Sequence, residues 1–90
     1  MRIYLNIEYT TARTSYVFFA SKKQAIINAK RWTSDEEYLE AAKKRGDKII
    51  RIETYTLHDD CQLGYFLAEL ENAAREREQH GIPINVEYAE

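Results

Sequence analysis

Residues 48–57 read KIIRIETYTL, a run of Ile, Thr and Tyr set between Gly46-Asp47 on one side and His58-Asp59-Asp60 on the other. β-Branched and aromatic side chains suit a pleated, half-buried surface, and Gly and Asp punctuate such runs. The segment is therefore predicted to be the central strand of a sheet. Upstream, Ser34 with Glu37 makes a capping-box pattern, and Asp35 and Glu36 complement a helix amino terminus. A short helix is expected over 35–45, stopped by Gly46. Downstream, Asp59 or Asp60 can cap a long helix whose stripe Leu63, Phe66, Leu67, Leu70, Ala73 and Ala74 has i, i+3, i+4, i+7 spacing. That helix carries dense charge at Arg75-Glu76-Arg77-Glu78 before Gly81 and Pro83 end it.

The two ends of the chain read as strands. Ile3, Leu5, Ile7 and Tyr9 alternate with Arg2, Tyr4, Asn6 and Glu8, the period that places one face of a strand on a core. Ser15 to Ala20, SYVFFA, follows a short polar segment that lacks Gly and Asn, so a hairpin closed by a loop is expected. Ser21 with Gln24 marks the start of a helix that sets Ala25, Ile26, Ala29 and Trp32 on one face and carries Lys22, Lys23, Lys30 and Arg31. Ile84, Val86 and Tyr88 alternate with Asn85 and Glu87 in a last strand, which Pro83 suits to a sheet edge. The order β-β-α-(α)-β-α-β predicts an α+β fold: about four strands in an antiparallel or mixed sheet, two to three helices on one face, the other face open.

Ninety residues leave room for one core and not for two, so one domain over 1–90 is expected. Apolar content of 44%, 31% charged residues, one Pro and three Gly argue against disordered or low-complexity stretches. A core of this size supplies only a few kcal/mol of net stability, so a homodimer or a larger partner contributing buried surface is expected. The net charge of −2 gives no basic footprint for unaided nucleic-acid binding. One cysteine, Cys61, makes no internal disulfide, and the amino terminus alternates instead of forming a charged segment followed by an apolar block. No apolar run approaches the roughly 18–20 residues that span a bilayer, so a cytoplasmic location without membrane association is expected.

His58-Asp59-Asp60-Cys61 gathers metal-ligand and acid–base types at a helix start, where the dipole lowers a thiol pKa. A zinc site needs a second pair of ligands, and the other histidine, His80, stands at the far end of the long helix. Helix caps beside a half-buried thiol account for the cluster better. Gly64, inside that helix, marks close packing. With no phosphate loop, nucleophile elbow or zinc pair, the expectation is a non-enzyme without a cofactor. Seven tyrosines fit either rings that cover sheet edges and pack against long Arg and Lys stems or an interface. If Ile3, Leu5 and Ile7 face the helices, and Ile50 and Ile52 point inward, then Arg2, Tyr4, Asn6 and Glu8 share the open face with Arg51, Glu53 and Tyr55. That face is the candidate partner-binding surface. Base stacking on it is the alternative function, a small nucleic-acid-binding protein, although Glu8 and Glu53 repel phosphate and the RNA-recognition signature is missing. Lys22, Lys23, Lys30 and Arg31 are the candidate phosphate contacts, weighed against an ordinary solvated helix face.

The run from a strand through the Ser-led, Ala-rich helix with Ala29-Lys30-Arg31 to a strand reading Ile50-Arg51-Ile52-Glu53-Thr54 resembles small phage-encoded anti-CRISPR and other host-takeover proteins over residues 15–56. The resemblance implies a non-enzymatic inhibitor, acting in the host cytoplasm, that docks a CRISPR-Cas complex or another host nucleoprotein. It carries over no individual binding residue.

Overall fold

A computed structural model describes residues 2–57 and 81–89. In chain order the elements are β1 (Tyr4–Thr10), β2 (Thr14–Phe19), α1 (Lys22–Ser34), α2 (Glu36–Lys44), β3 (Ile49–Leu57) and β4 (Gly81–Tyr88). The strands form one antiparallel sheet in the order β2-β1-β3-β4, so β1 and β3 are central and β4, with its Pro83, lies at an edge as its sequence predicts. The α+β class and four-stranded sheet follow the sequence expectation. The long helix predicted after His58 lies outside the described residues.

Directly opposed residues of paired strands share a sheet face, which fixes what each face holds. Asn6 opposes Thr54 and Val17, and Glu8 opposes Ile52 and Ser15. This is the face that α1 and α2 cover. Asn6 Nδ2 donates to the Ala25 carbonyl of α1 at 2.8 Å and to Asn28 Oδ1 at 3.1 Å, while the Thr54 hydroxyl donates to Asn6 Oδ1 at 2.6 Å. Ala25 and Ala29 are fully buried, and their small side chains let α1 lie close enough for the amide to reach its backbone. On the opposite face Leu5, Ile7, Tyr55 and Leu57 form a buried cluster with Ile3, Tyr9 and Tyr16 packed against it.

The predicted open platform is therefore corrected. Tyr4, Asn6 and Glu8 lie under the helices, Arg51, Glu53 and Tyr55 lie on the opposite face, and Arg2 precedes β1 on the surface. Alternation alone assigns the apolar half of β1 to the helices, whereas α1 is held by the Asn6 amide, which the Thr54 hydroxyl orients. Because the strand period is two, that single choice inverts the whole strand. Nor is the second face open, since Leu5 and Ile7 have no exposed surface and Tyr55 only 6%. Ile50 is also corrected: the β1–β3 register shifts between Tyr9 and Thr10, so Thr10 opposes Ile49, which is buried, and Ile50 bulges outward.

Ser21 Oγ accepts from the Gln24 N–H at 3.3 Å, as the capping pattern predicts. The second cap is Asp35, not Ser34. Asp35 N–H closes α1 on the Arg31 carbonyl, and its carboxylate accepts from the Tyr38 N–H at 3.1 Å to open α2. Ser34 remains the last residue of α1, its hydroxyl donating to the Lys30 carbonyl. A carboxylate accepts from an amide at least as well as a hydroxyl does, so one residue serves both helices. Gly46 stops α2 with φ +75, the left-handed conformation that disfavours side chains. At the start of β4, a Cβ on Gly81 would lie 2.7 Å from the Thr56 carbonyl oxygen, so glycine is required there by close approach.

Asp47, next to Gly46, ties the β1–β2 turn to β3. Its Oδ1 accepts from the Thr11 hydroxyl at 2.8 Å and from the N–H groups of Ala12 and Lys48 at 3.0 and 2.7 Å. Burial works against its charge, yet these hydrogen bonds outweigh it and hold the carboxyl below the ordinary aspartate range. This anchor replaces the turn residues the sequence lacks.

Two outcomes follow from these contacts. Asn6→Ala removes a buried amide and leaves the Thr54 hydroxyl without its acceptor, so chemical denaturation should show a loss of about 2–3 kcal/mol. A folded pKa below the unfolded one means that Asp47 contributes its stability above the unfolded value near 4 and loses it as pH falls through the folded value. Asp47→Asn should accordingly be destabilised at pH 7 and approach the parent protein in melts at progressively lower pH.

Candidate functional site

The face opposite α1 and α2 carries a transverse row of side chains at one end. Tyr9 on β1 opposes Arg51 on β3, and Arg51 opposes Tyr88 on β4. The Arg51 guanidinium carbon lies over the Tyr9 ring, 4.0 Å from its centroid, a cation–π contact. Its Nε donates to Glu53 Oε2 at 3.0 Å, and Glu53 Oε1 accepts from the hydroxyls of Tyr9 and Tyr55 at 2.9 and 3.1 Å. Arg51 and Glu53 share this face because they are two residues apart on one strand. The carboxylate thus gathers three donors from two strands and holds the guanidinium over an aromatic ring.

The row ends in open surface. Tyr88 is 70% exposed, and Val86, which opposes Glu53, is also exposed. Of the predicted face, Arg51, Glu53 and Tyr55 come together here, with Tyr55 contributing a buried ring and a hydroxyl. Tyr9, Val86 and Tyr88 belong to the same surface and were not singled out from the sequence. The available signal was strand alternation: Tyr9 shares the parity of Leu5 and Ile7, and Tyr88 that of Val86.

A cleft of about 410 Å³ opens on the helix-covered side between β2, α1 and α2, bordered by Glu8, Arg13, Asn28, Trp32 and Tyr38. The Tyr38 hydroxyl lies 3.0 Å from both Glu8 carboxylate oxygens, and the Tyr38 and Trp32 rings meet edge to face at 4.4 Å. Burial, then the hydrogen bond and charge of Glu8, push the Tyr38 hydroxyl above its ordinary pKa, with Arg13 opposing. Hydroxyl and carboxylate satisfy each other, so the pair clamps β1 to α2.

Lys22, Lys23, Lys30 and Arg31 are all exposed on α1. At about 100° per residue, Lys23 and Lys30 share a direction while Lys22 and Arg31 point well to either side, so the four make no single patch. Lys30 borders a second cleft, of about 530 Å³, together with Glu36 and Glu87, an acidic setting for a phosphate. The open-face stacking site of the nucleic-acid alternative is not formed, because Tyr4 lies on the helix side and Tyr55 in the core.

His58, Asp59, Asp60, Cys61, Gly64 and His80 lie outside the described residues. Among the described residues, no three His, Cys, Asp or Glu side chains are grouped to hold a metal ion, and no helix is long and apolar enough to cross a membrane. Compared with family models, characterised proteins and solved structures, the chain matches none.

In an ultraviolet titration of the seven tyrosines, Tyr38→Phe should remove a component that ionises above the ordinary value near 10. Glu8→Gln should move that component downward, since the carboxylate is one cause of the upward shift.

Proposed function

We propose that this chain is a non-enzymatic protein-binding module that docks its partner on the Tyr9–Arg51–Tyr88 row. The observation that carries the reading is an arginine already placed over one tyrosine and held by a carboxylate, beside a second tyrosine that is 70% exposed. Tyr and Arg dominate binding hot spots because each brings large contact area with a polar end. A side chain already fixed in the free protein loses little rotamer freedom on binding. The exposed Val86 extends the patch with apolar surface.

A host nucleoprotein, such as a CRISPR-Cas complex, is the partner class implied by the sequence resemblance. Direct nucleic-acid binding is the weaker reading, because Glu53 offsets the charge of Arg51 where a phosphate would approach.

The test captures partners from a nuclease-treated bacterial lysate on tagged protein, then measures the affinity of the recovered protein for variants. Tyr88→Ala and Arg51→Ala should each weaken it by about 2 kcal/mol, or roughly 30-fold. Tyr88→Ala should leave the melting temperature unchanged. Unchanged affinity in both variants refutes the row as the docking site. Recovery that nuclease abolishes, with affinity falling steeply in salt, replaces this reading with the nucleic-acid one.

A further inference from the structure

The two edges of the sheet are built differently. β4 carries Pro83, Glu87 and a register shift against β3 between Thr54 and Tyr55, all features that obstruct pairing with another strand. β2 reads TSYVFF, without a charge, a proline or a glycine. Val17 and Phe18, neighbours that project to opposite sheet faces, are 47% and 37% exposed. Among the described residues, β1 is the only strand that pairs with β2.

The hairpin geometry says which backbone groups of β2 face outward. The Thr10 N–H donates to the Arg13 carbonyl at 2.9 Å, which makes Thr10 and Arg13 a hydrogen-bonded pair. Such pairs alternate along an antiparallel ladder, so Ser15, Val17 and Phe19 exchange backbone bonds with Glu8, Asn6 and Tyr4. Thr14 and Phe18 then turn their N–H and C=O groups away from β1. The ring of Tyr16, between them, packs against the Leu5–Ile7–Tyr55–Leu57 cluster.

We infer that β2 is the interface for a second copy of this chain, paired antiparallel about a twofold axis at Tyr16. In that register Thr14 opposes the second copy's Phe18, joining the outward backbone groups of each. Ser15 opposes the second copy's Val17 on the helix side. Arg13, the charge immediately before β2, falls opposite the second copy's Phe19 and not opposite its own symmetry mate. An isologous pairing sets every residue of the strand against the same strand, and because TSYVFF carries no charge this self-pairing meets no like-charge repulsion. The pairing joins the two sheets into one and covers Val17 and Phe18. It is independent of the Tyr9–Arg51–Tyr88 row, which ends at the opposite edge.

Sedimentation velocity on the full chain over a concentration series tests the proposal. The parent protein should run as a dimer. Val17→Lys introduces two charges beside the axis and should weaken association on the order of tenfold or more, with the circular-dichroism melt showing that the monomer stays folded. Adding Ser15→Glu to Val17→Lys sets opposite charges face to face twice in the proposed register and should restore the dimer. A monomeric parent protein, a dimer indifferent to Val17→Lys, or a double variant no better associated than the single one would each overturn it.

Discussion

Everything described depends on the pairing of β1 with β3, and within it on the Asn6–Thr54 contact. The two residues are far apart in sequence, so the hydroxyl-to-amide hydrogen bond of 2.6 Å closes a long loop. Once closed, the same amide has a donor left for the Ala25 carbonyl, and α1 is placed on the sheet by a directed bond and not by apolar contact alone. A buried amide left half satisfied costs about 1–3 kcal/mol. Sliding β3 by one residue would impose that cost and turn Ile52 and Tyr55 to the wrong faces together. The polar contact thus selects the register, while apolar burial supplies most of the stability.

The same register builds the outer surface. With Asn6 opposite Thr54, Tyr9 must stand opposite Arg51, and β4 pairing then delivers Tyr88 to the same row. Glu53 is central there: one carboxylate accepts from two tyrosine hydroxyls and a guanidinium, so the charges cancel locally and the rings are fixed. On the helix side Glu8 and Tyr38 play a comparable part between β1 and α2. Both faces therefore combine an apolar or amide centre with a carboxylate–tyrosine contact nearby, which accounts for much of the tyrosine content without assigning every ring to an interface.

How much was legible in the sequence follows from how local each signal is. The capping serine at 21, the stop at Gly46, the KIIRIETYTL strand and the edge proline are decided by neighbours in the chain, and they stand as read. The cap at Asp35 was missed by one residue because Ser34 and Asp35 both offer an oxygen. Face assignment was inverted in β1, since alternation reveals two sets of residues but not which set meets a helix. Asn6 was the available clue: an amide amid Ile, Leu and Ile is a group that must find partners if buried. The bulge that turns Ile50 outward has no signature in a run of β-branched residues. Arg51, Glu53 and Tyr55 share a face because they alternate along one strand, whereas linking them to Tyr9 and Tyr88 requires the pairing register.

The unequal edges of the sheet set a limit on assembly. A molecule with two compatible edges has a valence of two and extends without end, as fibres do. Here proline, a carboxylate and a register shift obstruct pairing at β4, so the sheet offers a single compatible edge. Growth through the β2 pairing inferred above would then terminate at the first union, and a chain that displays an apolar edge would escape becoming a polymer.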